Sequence, residues 1–162
     1  MTAVTVVLYE SQDPINIGAV VRAMKNMGAV DLRLIRPCHY DLNRIEQIAH
    51  DTRDVVARIR HFDTIDDALA DCRYVVAYSG RRRAAKWARH TPRTAAVDLL
   101  AHAQHGRVAI MFEMRSSPQA GSHFTFLIAS SAFCRRLLRS IPMNHCVVPR
   151  KIVGLWQRQQ CG

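Results

Sequence analysis

The sequence predicts an α/β domain, a parallel sheet with helices on both faces, and three observations carry that prediction. Four short runs rich in β-branched and apolar residues, Val4–Tyr9, Asp31–Ile35, Tyr74–Tyr78 and Val108–Phe112, read as strands. Between them lie stretches whose apolar residues recur at helical spacing, so strand and helix alternate as a doubly wound sheet requires. The third and fourth runs are continuously apolar, the pattern of parallel strands covered on both faces.

The first run leads through a polar turn closed by Asp13-Pro14 into a helix whose apolar positions are Ile17, Val20, Val21, Met24 and Met27. Asn16 stands where an N-cap would sit, and Asn26 and Gly28 stand where the helix would stop. Arg22 is too far along to cap anything, so its role lies elsewhere. Asp31–Ile35 closes at Arg36-Pro37, and the short return from the first helix implies a parallel pair with a right-handed crossover.

Leu42, Ile45 and Ile48 outline a short helix ending near His50, and Val55, Val56 and Ile59 outline a second amphipathic stretch within Asp51 to Arg60. From Phe62 to Leu69 a capping residue precedes Asp66 and Asp67, with Ile65, Ala68 and Leu69 as the apolar side of a helix start. The Tyr74–Tyr78 run ends in the turn Ser79-Gly80, followed by Arg81, Arg82 and Arg83. Ligands gather outside the carboxyl ends of parallel strands, so this turn is placed to touch one. Thr91-Pro92 starts another helix, with Ala95, Ala96, Leu99, Leu100 and Ala103 as its expected buried face and Gly106 as its end.

At 162 residues, 49% of them apolar, the chain is expected to form one domain over 1–162 with a real core. It holds no run of eighteen apolar residues and no charged-then-apolar leader, so the expectation is no membrane span and a cytoplasmic protein. The five cysteines are scattered without a Cys-x-x-Cys pair, and the eight histidines do not pair with Cys or acids at ligand spacing. No metal site is expected. The balance of 23 Lys+Arg against 13 Asp+Glu gives +10, and 20 of the 23 are arginine. The planar guanidinium fork suits phosphate, which favours a nucleic-acid partner over a membrane. Charge alone is also met in proteins whose arginines are merely solvated.

The spacing Asn16-Ile17-Gly18, Arg22, Gly28 on a strand-turn-helix frame resembles motif 1 of the SpoU/TrmH family of RNA ribose 2′-O-methyltransferases in the SPOUT superfamily. Leu8-Tyr9-Glu10 and Pro14-Ile15 make it most like the TrmJ-type branch. The resemblance implies a SPOUT-type α/β knot, S-adenosyl-L-methionine as methyl donor, a ribose 2′-hydroxyl of tRNA or rRNA as acceptor, and a homodimer. It makes Arg22 the principal catalytic residue and Asn16 the residue that orients Arg22 or the ribose, with Glu10 a weaker candidate beside them. By position it assigns cofactor contacts to Tyr78, Ser79, Gly80, Met111, Phe112, Ile141, Pro142 and Met143. Arg81, Arg82, Arg83, Lys86 and Arg89 would face RNA, with Trp87 as a stacking surface.

The pattern departs from the family after Phe112. Motif 2 would continue with Gly and then Glu, whereas this chain reads Glu113-Met114-Arg115. Ile141-Pro142-Met143-Asn144 resembles the start of motif 3, but His145-Cys146-Val147 stands where Ser-Leu-Asn belongs. All thirteen acids fall within residues 1–113, and residues 114–162 hold seven Lys+Arg with none. Residues 114–162 are therefore expected to be atypical, a disrupted or divergent C-terminal third, which leaves open whether the family's knot is complete or incomplete. The alternative that follows is an RNA-binding but catalytically defective homologue. A flavodoxin-like or nucleotide-binding domain ranks lower, because no Gly-x-Gly-x-x-Gly or Walker loop follows the first strand.

Overall fold

The computed structural model describes residues 4–78 and 92–114 and the backbone of the strand 145–149. Its elements run β1 (Val4–Tyr9), α1 (Pro14–Met27), β2 (Asp31–Ile35), α2 (Leu42–Ile48), α3 (Arg53–Val56), β3 (Arg60–Phe62), α4 (Ile65–Ala68), β4 (Tyr74–Tyr78), α5 (Pro92–Ala103), β5 (Val108–Glu113) and β6 (His145–Pro149). The strands form one sheet in the order β3-β2-β1-β5-β4-β6, parallel except for β6, which runs antiparallel to β4.

Right-handed crossovers decide which face each helix covers. The steps β1 to β2, β2 to β3 and β4 to β5 all move the same way across the sheet, and α1, α2, α3 and α5 share one face. The step from β3 to β4 moves the other way, and α4 lies on the opposite face against Val7, Val75 and Ala109. Both faces are thus covered, as the continuous apolar runs predict.

Helix α1 buries Ile17, Val20, Val21 and Met24, each burial stabilising the fold by roughly 1.5–3 kcal/mol. Met27, expected on that face, is 54% exposed because α1 ends one residue later at Gly28, whose φ of 69° is the left-handed cap glycine adopts without strain. The N-cap is Asp13, not Asn16. Proline prefers the first helical position, so Pro14 starts the helix, and the Asp13 carboxylate accepts the Ile15 N–H at 2.8 Å.

Three further expectations are corrected. The amphipathic stretch in 51–60 yields only the single turn Arg53–Val56, since the chain breaks away to pair Arg60–Phe62 with β2 as an edge strand. Leu42 and Leu100 point to solvent, leaving Ile45 of α2 and Ala95 and Leu99 of α5 as the fully packed residues. The strand 145–149 was not expected from the sequence; its pairing with β4 is a tertiary contact that no local pattern announces. Cys72 packs in the core as a small apolar residue would, and burial pushes its thiol up to about 11.

At the amino end of the sheet the chain buries a charge. Arg33 in β2 is 1% exposed and donates to Ala68 O at 2.6 Å and to both Asp71 oxygens at 2.5 and 2.8 Å. It also donates to Asp31 at 3.1 Å. Asp31 accepts further bonds from Thr5 at 2.7 Å, Arg60 at 2.7 Å and Arg107 at 2.6 Å. One carboxylate thereby ties β1, β2, β3 and the start of β5 together.

Candidate active site

The carboxyl ends of the parallel strands emerge on the opposite edge, where ligands bind in open sheets of this kind. The chain leaves β1 at Glu10 and turns through Ser11, which is fully buried and whose carbonyl accepts the Cys38 N–H at 2.7 Å. That bond and the Asp13 cap seat the start of α1 at the rim. Asn16 lies in the first turn of α1, half-buried, while Arg22 is exposed. Six residues place the two roughly 9 Å apart along the helix axis. Among the described residues no hydrogen bond or ion pair holds the Arg22 guanidinium, so Asn16 does not orient it here.

Glu10 and Arg36 follow β1 and β2 at neighbouring strand ends, and both adopt left-handed backbone, with φ of 51° and 45°. Arg36 Nη2 meets Glu10 Oε1 at 2.7 Å, and the guanidinium lies 5.3 Å from the Tyr9 ring centre and donates to the Tyr9 hydroxyl. Strained non-glycine residues in contact with one another collect at functional sites. Arg36 is the residue sequence reasoning missed, since Arg36-Pro37 reads only as the close of a strand. Its backbone conformation, invisible in the sequence, is the signal.

On the other side of β1, Tyr78 and Phe112 stand opposite each other at the ends of β4 and β5, their rings stacked at 5.2 Å and 19°. They form a flat, half-buried aromatic wall. Burial pushes the Tyr78 hydroxyl up from its ordinary value, so it remains protonated and a hydrogen-bond donor. Met111 faces the other side of the sheet, as strand alternation dictates, and is 3% exposed in the core with Val7 and Ala77. Its side chain is core packing and can offer a ligand only backbone. Ser79, Gly80, Arg81, Arg82, Arg83, Lys86, Arg89, Ile141, Pro142 and Met143 lie outside the described residues.

A parallel α/β sheet with a polar helix start, an Arg36–Glu10 ion pair and an aromatic wall along its carboxyl edge is the class of open α/β domain in which ligands characteristically bind above the strand ends. The chain belongs to the SpoU rRNA Methylase family, whose profile matches residues 3–112. It is 36% identical over 109 residues to the tRNA (cytidine/uridine-2′-O-)-methyltransferase TrmJ of Klebsiella pneumoniae subsp. pneumoniae, covering 67% of this chain and 45% of that protein. The same enzyme of Cronobacter sakazakii is also 36% identical over 109 residues, covering 67% of this chain and 44% of that protein. The chain therefore spans less than half the length of these curated relatives. The crystal structure of TrmJ from Z. mobilis ZM4 shares the fold, with a TM-score of 0.63 at 24% identity over 97% of this chain and 79% of that chain. The methyltransferase sheet expected from motif 1 is thus the fold observed, and membership of a methylase family implies a methyl donor. Among the described residues, no helix is long and apolar enough to cross a membrane.

Proposed function

We propose that this chain transfers a methyl group from S-adenosyl-L-methionine to a ribose 2′-hydroxyl of tRNA, with Arg22 as the catalytic residue. The observation that supports this reading is an exposed guanidinium, without a partner among the described residues, about two turns along the helix whose start the turn after β1 seats at the carboxyl edge. A ribose hydroxyl is a poor nucleophile at neutral pH, so the site must hold it in line and favour loss of its proton. Arg22 keeps its own proton and stabilises the alkoxide that develops, since guanidinium pKa values exceed about 12. Asn16, at the rim, orients the ribose.

S-adenosyl-L-methionine supplies a methyl group on a positively charged sulfur. The aromatic wall of Tyr78 and Phe112 fits a flat ring such as adenine, and these two residues would hold it together with the Ser79-Gly80 turn and Ile141, Pro142 and Met143. Arg81, Arg82, Arg83, Lys86 and Arg89 would contact RNA phosphates. By the same resemblance the working form is a homodimer in the cytoplasm.

The second reading, an RNA-binding homologue without catalysis, draws support from the end of the family match at Phe112, where Glu113-Met114-Arg115 stands in place of Gly-x-Glu. Calorimetric titration of the 162-residue chain with S-adenosyl-L-methionine, followed by methyl transfer to a tRNA transcript, separates the two. One-site binding with transfer supports the enzyme. A folded protein that binds tRNA but no cofactor supports the second reading.

A further inference from the structure

We infer that the amino end of the sheet, remote from the proposed active edge, is a second RNA contact: Arg58, Arg60 and Arg107 present a phosphate-binding surface around Asp31. This rests on the RNA reading above and adds a place to it. The three arginines and Asp31 line an open depression of about 490 Å³. A five-residue strand separates it from the carboxyl edge, roughly 17 Å.

Charge and geometry both favour an anion here. Arg33, Arg60 and Arg107 pair with the carboxylates of Asp31 and Asp71, and Arg58, which lines the same depression, adds a fourth guanidinium against those two anions' charge. Asp31, with a side chain only 14% exposed, sits beneath the surface, while the side chains of Arg60 and Arg107 are 50% and 37% exposed. Asp31 holds Arg60 by Nη2 at 2.7 Å and Arg107 by Nη1 at 2.6 Å, and Asp71 meets Arg107 Nε at 3.1 Å, so both side chains are held in place with their remaining donors to offer an anion. Prepositioned forks lose less side-chain freedom when they bind phosphate, which they recognise two bonds at a time. Arg58 is exposed and, among the described residues, has no hydrogen-bond or ion-pair partner for its guanidinium. Arg73, also exposed, lies beside this end with its N–H on the Arg107 carbonyl at 2.7 Å. An RNA long enough to pass the whole sheet would meet cations at both ends.

The test is RNA affinity as a function of salt, measured on the full chain with a tRNA transcript from about 50 to 200 mM salt. Arg58→Glu is expected to weaken binding several-fold, and the neutral Arg58→Gln to make the plot of log affinity against log salt shallower by about one contact. Ala57→Arg, on the exposed rim of the same depression, is expected to tighten binding. Arg58 makes no side-chain bond to any described residue, so its variants should fold, and circular dichroism checks that they do. Wild-type binding with no change in the Arg58 variants overturns this surface alone. A wild type that fails to bind RNA overturns both this surface and the RNA reading it rests on.

Discussion

Ile48 of α2 rests directly on the backbone of α1 at Gly18, where an added Cβ would stand 2.7 Å from Ile48 Cγ2 and 2.9 Å from its Cβ. The glycine of the Asn-x-Gly motif is therefore a packing residue, there so that two helices can meet closely. Gly18→Ala gains about 1 kcal/mol of helix propensity but forces a clash of the kind that costs about 1–3 kcal/mol. Net loss of stability, seen as a lower urea midpoint with an unchanged slope, is the expected result. An equal or higher midpoint would mean that α2 gives way freely.

Arg22→Ala should leave the fold intact, since the side chain is exposed and bonded to no described residue. If it stabilises the developing alkoxide, its loss should lower methyl transfer by about 100- to 1,000-fold, the effect of removing a transition-state donor. Cofactor affinity by calorimetry should not change. A variant that transfers methyl groups normally would remove Arg22 from the mechanism.

Arg33 is the opposite case, a cation whose side chain is 2% exposed and tied to two carboxylates. Arg33→Ala leaves Asp31 without one of its charge partners and Asp71 without its main one, a change that typically costs about 3–5 kcal/mol. Asp71→Asn should cost less, because the Asp71 side chain is 48% exposed and Arg33 keeps Asp31. Thermal unfolding of the two variants side by side checks the order, and equal losses would contradict it.

Acid should weaken the same cluster. Burial opposes ionisation of Asp31, but hydrogen bonds from Arg60, Thr5 and Arg33 outweigh it and lower its carboxyl from 3.8 to about 2. The folded state thus binds the proton more weakly than the unfolded chain. Its contribution, about 2 kcal/mol, is complete above pH 3.8 and disappears as pH falls through about 2. Hydrogen bonds from Arg33 hold Asp71 well below the usual carboxylate range as well, which extends the loss to lower pH. Asp31→Asn should flatten stability against pH across that window, and an unaltered profile would remove Asp31 as the cause.

Local pattern carried most of the sheet. The β-branched runs at Val4–Tyr9 and Tyr74–Tyr78 are strands as read, and Asp31–Ile35 is too. Gly28 ends α1 where the helix was expected to stop. Two elements, Arg60–Phe62 and His145–Pro149, escaped because their cause is not local. Arg60–Phe62 becomes a strand only by pairing with β2, and nothing in its three residues prefers that state over the end of a helix.

The sequence by itself determined the family, through the offsets of Asn16, Gly18, Arg22 and Gly28, and with it the chemistry to be expected. Hydrophobic period and cap residues determined where most strands and helices lie, because those choices are made within a few residues of chain. Tertiary structure alone decided what each motif residue touches. It set Ile48 against Gly18 and paired Arg36 with Glu10. It also gathered Asp31, Asp71, Arg60 and Arg107 around Arg33 at the amino end. These partners come from separate elements of the chain, and only closure of the sheet brings them within bonding distance.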